Sequence, residues 1–228
     1  KLREWGIKYC EFYEDLLEED LDLLIEAASQ AAAKQYIPLA LKRGINVLSM
    51  SVGAYLEVDL FKEISEICAQ ETSGSLFIPS GALPSVDVLK AASLKGISSI
   101  ELFTTKPPQA LSGAPGVIDW EDKIDSINSM TMIFSGSAEE ANHLFPKNIN
   151  ISSTLSLVGL GAKHTRVCIA VDPSLHQNIH EITLKGDFGE LYSRIACNPS
   201  NNPKTSLIAP LSAVSLILQL GEKIKIGS

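Results

Sequence analysis

The sequence predicts an α/β chain: a parallel sheet, then an α+β second domain with an open mixed sheet. Three observations carry this. Short apolar runs alternate with helical patterns through residue 80, strand patterns dominate residues 97–197, and a long apolar helical segment closes the chain.

In the first part, LDLLIEA (21–27) reads as a buried strand. Ser29 then opens an Ala-rich helix through Lys42, stopped by Gly44. INVLSMS (45–51) is a second strand, and VDLFKEISEICAQE (58–71) sets Leu60, Ile64 and Ile67 on one helical face. SLFIPS (75–80) is a third strand. Near-continuous apolar strands joined by helices imply parallel pairing through right-handed crossovers, a Rossmann-type arrangement. In the second part, residues 97–106, 130–137, 164–172, 178–186 and 189–197 read as strands, interrupted by helices over 137–145 and roughly 148–160. SLIAPLSAVSLILQL (206–220) is too short for a bilayer and contains Pro210, so it reads as a buried helix, beginning near 204 after Asn201-Asn202-Pro203. Residues 1–80 with 203–228 are assigned to one domain and 81–202 to the other.

Composition narrows the function. A net charge of −8 disfavours nucleic acid and anionic membranes as partners. Cys10, Cys68, Cys168 and Cys197 lie far apart with no metal-ligand spacing, which points to free thiols in a reducing cytoplasm and to no metal. The charged N-terminal stretch lacks a signal peptide's apolar run.

Ligands of open parallel sheets sit beyond the carboxyl ends of the strands. Each strand here ends in small residues: Ala27-Ala28-Ser29, Ser51-Val52-Gly53-Ala54 and Ser80-Gly81-Ala82. Such turns let a flat ligand approach backbone N–H groups, and Ala28, Ser29, Ser80 and Gly81 are the expected cofactor contacts. Tight turns favour Ser, Gly and Ala in any case, so both readings stand. The glycine fingerprint of a dinucleotide site is missing: Gly159-Leu160-Gly161 follows a helical run and lacks a third glycine. A strand, glycine turn, helix and strand would take roughly 30–40 residues, about one βαβ unit. The first domain is therefore expected to be incomplete at its N-terminus.

DLLIEAASQ (22–30), NVLSMSVGA (46–54), IPSGAL (78–83), TTKPP (104–108), the 134–157 stretch containing FPKNIN, VDPSLHQNIHEI (171–182) and NPKTS (202–206) occur in an order that resembles the L-aspartate dehydrogenases. These are NAD(P)-dependent enzymes related in fold to dihydrodipicolinate reductase. The resemblance implies oxidation of L-aspartate to iminoaspartate, then oxaloacetate and ammonia, or passage of the imine toward quinolinate and NAD. It implies a catalytic His180, cofactor contacts at Ala82 and Asn150, NAD or NADP as cofactor, and a homodimer built through the second sheet.

The residues have their own reading. Alternation in NIHEITL places Asn178, His180, Ile182 and Leu184 on one face. A histidine there is commonly a core residue, yet at a strand's start by an interdomain cleft it can serve as a base. His143, His164 and His176 carry no such motif. The substrate's two carboxylates need cations. Lys106, Lys147, Lys204 and Arg194 each read singly as solvated charges, with Lys147 the preferred contact because it begins the same helix that presents Asn150. Asn178 and Lys204 complete the expected substrate set, although Lys204 could equally serve the domain junction. Glu18, Glu19 and Asp20 read as a solvated face, and Glu26 either meets ligand or caps a helix. Two other functions fit the same fold: an imine or dihydrodipicolinate-type reductase, and a non-catalytic binding protein lacking the cofactor turn.

Overall fold

The computed structural model describes Glu4, Ile124 and residues 6–120, 126–146, 149–200 and 205–226. The first half runs α1 (Tyr13–Leu17), β1 (Leu24–Glu26), α2 (Gln30–Lys42), β2 (Val47–Ser49), a 3₁₀ turn (Val52–Leu56), α3 (Val58–Cys68), β3 (Leu76–Phe77) and α4 (Val86–Ser93). The strands form a parallel sheet in the order β1-β2-β3, with Leu24 opposite Val47 and Val47 opposite Leu76. Ser29 caps α2 by accepting from the Ala32 N–H at 3.1 Å, and Gly44, at φ +80°, ends the turn after it. Ala33, Ile37 and Leu41 of α2 and Leu60, Ile64 and Ile67 of α3 pack with Val47 and Tyr55 into one core. The expected strands prove short. Residues 21–27 yield only Leu24–Glu26, and Ile25 is 52% exposed because β1 is an edge strand with an open face.

The second sheet is mixed and larger. It contains β4 (Ile97–Lys106), β5 (Thr131–Ser137), β6 (Thr165–Val171), β7 (Asn178–Gly186) and β8 (Gly189–Cys197), in the order β5-β6-β4-β7-β8. Only β4 and β6 run parallel among these pairs. Two helices cover one face: α5 (Ala138–Leu144), opened by a Ser137–Glu140 capping box, and α6 (Asn150–Val158). The covered face of β4 reads Ile100, Leu102, Thr104, Lys106, all buried. That of β7 reads Asn178, His180, Ile182, Leu184, also buried. Because β4 and β7 are antiparallel, with Thr104 opposite His180 and Leu102 opposite Ile182, their polar ends coincide. The apolar rows seal against α6 and α4, leaving the polar rows at one end of the sheet. The opposite face carries Glu101, Phe103, Glu181, Thr183, Tyr192 and Arg194 and is uncovered by any described helix, as the alternation predicts.

The last helix, α7 (Ile208–Gly221), differs from expectation, since none of its residues is buried. The flank it turns toward the β3 edge carries Ser212, Ser215 and Gln219 beside Leu216, while Leu211, Val214 and Leu218 stay exposed. It reaches the first sheet's turn through Ser212, whose Oγ accepts from the Gly81 N–H at 2.9 Å. No described helix is long and apolar enough to cross a membrane.

Candidate active site

The polar end of the second sheet meets the carboxyl end of the first in a cleft. Its walls include Met50, Val52, Ser80, Gly81, Ala82, Lys106, Asn150, His180 and Ser206. The most enclosed part of the cleft is small, about 60 Å3.

His180 is 2% exposed. Its Nδ1 lies 2.5 Å from Thr104 Oγ1, and that hydroxyl donates to the Ile179 carbonyl at 3.2 Å. A hydroxyl has one proton, so the oxygen accepts from Nδ1–H and the Nε2 lone pair is left unprotonated. Burial, and then the nearby positive charge of Lys106, lower the His180 pKa to about 3, so the ring is a neutral acceptor at physiological pH.

Lys106 corrects the reading of its motif as a solvated charge. It is 4% exposed, because its place on β4 continues the inward row of Ile100, Leu102 and Thr104. Burial lowers its pKa to about 8, against a small opposing effect of the Cys197 thiol. Among the described residues no carboxylate pairs with it within 4 Å. Asn178 is also buried; its Nδ2 donates to Ser206 Oγ at 3.3 Å, while its buried Oδ1 has no hydrogen-bond partner among the described residues. It lines an adjoining cavity with Gln109 and His176.

Asn150, at the first turn of α6, donates from Nδ2 to the Met50 carbonyl at 3.0 Å, leaving its Oδ1 unspent by that bond. Ser80, Gly81 and Ala82 line the same cleft as His180. Gly81 adopts φ +62°, a conformation that suits glycine, and a Cβ there would meet nothing within 4 Å. Met50, Val52 and Ala82 give the cleft an apolar lining, which suits the face of a flat ring. The residues present therefore fit a nicotinamide.

Ala28 and Ser29 do not join this cleft, and their amides are not free. Both donate to Glu26 Oε1, at 2.8 and 3.1 Å. Glu26 also accepts from the Ser51 N–H at 3.1 Å and from the Ser49 and Ser51 hydroxyls at 2.8 Å each. The acid thus ties two strand ends together, and Ser29 alone caps α2. Lys147 and Lys204 lie outside the described residues, although Thr205 and Ser206, next to Lys204, line the cleft. His143, His164 and His176 are exposed, as expected, and Glu18 and Glu19 pair with Arg43 and Lys8 at the surface. Sequence reasoning missed Thr104 and the burial of Lys106. The alternation of ISSIELFTTK contained the signal, because it puts both on the face of Ile100 and Leu102.

Comparison with known proteins agrees with this arrangement. Residues 87–220 match the family described as aspartate dehydrogenase, C-terminal, and residues 7–79 match the NAD binding domain of homoserine dehydrogenase. The chain is 43% identical to the L-aspartate dehydrogenase of Methanosarcina acetivorans, over 91% of this chain and 77% of that one. It is 37% identical to that of Methanococcus maripaludis strain C7, over 99% and 83%. The crystal structure of aspartate dehydrogenase from Thermotoga maritima superposes with a TM-score of 0.78 at 26% identity, covering 97% of this chain and 84% of that one. A hyperthermophilic archaeal homoserine dehydrogenase in complex with NADPH shares the fold, with a TM-score of 0.56 at 14% identity and coverage of 100% and 82%.

Proposed function

The chain belongs to the aspartate dehydrogenase family, and we infer from this membership that its cleft houses that family's reaction, the NAD(P)-dependent oxidation of L-aspartate. The observation that carries the reading is the buried, neutral His180, which lines the same cleft as Ser80, Gly81 and Ala82. The nicotinamide, when bound, supplies the hydride acceptor for the substrate Cα–H. Ala82 would bound the ring's position, and Asn150 Oδ1 would receive a polar edge of it. Those side chains require no covalent step.

His180 acts on the imine that hydride loss produces. Once Cα is an imine carbon, water must add to it and lose a proton. A neutral imidazole within hydrogen-bond reach accepts that proton at Nε2. Thr104 holds the ring in the tautomer that can do so. The imine then yields oxaloacetate and ammonia. In this reading residues 1–80 with 203–228 hold the cofactor, and 81–202 supply the base and the substrate side.

A homodimer through the uncovered sheet face is part of the same proposal. Tyr192 is 59% exposed there, beside Phe103 and the Glu181–Arg194 pair. A cytoplasmic location is proposed as well, supported by four cysteines without disulfides.

A side-by-side assay in the intact enzyme tests the activity. L-Aspartate should reduce NAD or NADP, and cyclic imines should not reoxidise the reduced form at a comparable rate. Faster cyclic-imine reduction would reassign the protein to a reductase.

A further inference from the structure

We propose that Lys106 is the group that receives a substrate carboxylate, which makes this cleft selective for dicarboxylic amino acids. The proposal rests on the aspartate reading for its substrate and on three observations for its placement.

Lys106 is buried and lines the same cleft as His180, two residues beyond Thr104 on one face of β4. A buried ammonium is normally paired, and no described carboxylate lies within 4 Å of this one. Among the described residues, the charged and titratable groups around it are otherwise engaged or neutral. His180 on β7 is neutral. Cys197 on β8 is a thiol whose pKa burial raises. Asp172, just past β6, directs its carboxylate to the Ser174 amide and hydroxyl at 2.9 and 2.6 Å. The site is therefore a positive socket suited to an anion.

The socket also lies where the reaction needs it. Lys106 is near enough to His180 for its charge to lower that ring's proton affinity. An anion bound at Lys106 thus lies beside the base that must reach the imine carbon. Binding offsets the ammonium charge, the smaller of the two effects that hold the His180 pKa down. Lys147 and Lys204 are not needed for this contact.

The test uses succinate, which has two carboxylates and no amine, so that binding is read without any hydride transfer. Calorimetry on the intact enzyme with saturating cofactor should show succinate binding that weakens as pH rises past about 8, where Lys106 loses its proton. Lys106→Met should weaken both succinate binding and the apparent affinity for L-aspartate by about 100-fold, leaving cofactor affinity within about threefold. Lys106→Gln provides a second, polar variant if the first fails to fold, and should show the same loss. Undiminished succinate binding by either folded variant would overturn the proposal, as would failure of the wild type to bind succinate. Wild-type succinate binding that depends on Lys106, without aspartate oxidation, would sustain the anion site and overturn the aspartate reading alone.

Discussion

At the scale of single residues, the cleft depends on two buried bases whose proton affinities are both lowered. For His180 the folded pKa of about 3 lies below the ordinary 6.5, so the unfolded chain binds the extra proton first. The corresponding stability is present above pH 6.5 and is lost as pH falls from there toward 3. Urea unfolding of the wild type should therefore weaken over that range more steeply than unfolding of His180→Gln. Parallel curves would contradict the burial argument. Lys106 follows the same sign in a higher window: the cost of burying its ammonium grows as pH falls from 10.5 to about 8 and is complete below that, so Lys106→Met should raise Tm at pH 7. Thr104→Val removes the acceptor for Nδ1–H and leaves a buried donor unsatisfied. It should cost about 1–3 kcal/mol of stability and lower kcat about tenfold, while Thr104→Ser retains both. Both effects can be read on one preparation by thermal unfolding and steady-state rates. Of these groups only His180 stood out in the sequence, through its motif. Thr104 and Lys106 were concealed by the ambiguity of polar residues at a strand end, which pairing alone resolves.

At the scale of elements, the row pattern of β4 and β7 was legible. ISSIELFTTK and NIHEITLKG alternate cleanly, and their observed limits are 97–106 and 178–186. The first sheet was less so: its strands are two or three residues long, and the runs around them are turn and edge. Helix α4 went unread because Val86–Ser93 is only eight residues long and starts from Ser85 in a left-handed conformation without a side-chain cap. Small residues do stand at the strand ends, but their amides are partly occupied: Glu26 accepts from the Ala28, Ser29 and Ser51 N–H groups and Ser212 from that of Gly81. Glu26 makes five hydrogen bonds across two strand ends. Glu26→Gln sets a donor against those N–H groups and should lower stability by about 2–4 kcal/mol, measured by the denaturant midpoint. An unchanged midpoint would mean the two turns hold without it. Ala82→Leu should raise the Michaelis constant for cofactor more than that for aspartate, because the added bulk enters the ring's space; the reverse ratio would place Ala82 on the substrate side.

At the scale of the whole molecule, a few amide bonds join the two sheets. Gln30 Nε2 donates to Asn142 Oδ1 at 3.0 Å and to the Pro146 carbonyl at 3.1 Å, Asn142 Nδ2 donates to the Gly53 carbonyl at 3.2 Å, and Asn150 spans to Met50. These contacts set the distance between the cofactor wall and His180. None could be read from sequence, since Gln30 and Asn142 are polar residues on ordinary helices separated by more than a hundred positions. The strand order β5-β6-β4-β7-β8 was hidden for the same reason: alternation shows that a strand exists, not its neighbour. The central claim is that this geometry makes His180 the base for water addition. Its most direct test is the turnover number of His180→Ala per folded molecule, measured with cofactor affinity on one preparation of the intact enzyme. A well-placed base contributes about 10²- to 10⁴-fold, so kcat should fall by that factor while cofactor affinity stays near wild type. A variant that loses Tm but keeps wild-type turnover per folded molecule would contradict the account and leave His180 a packing residue beside Ile182 and Leu184.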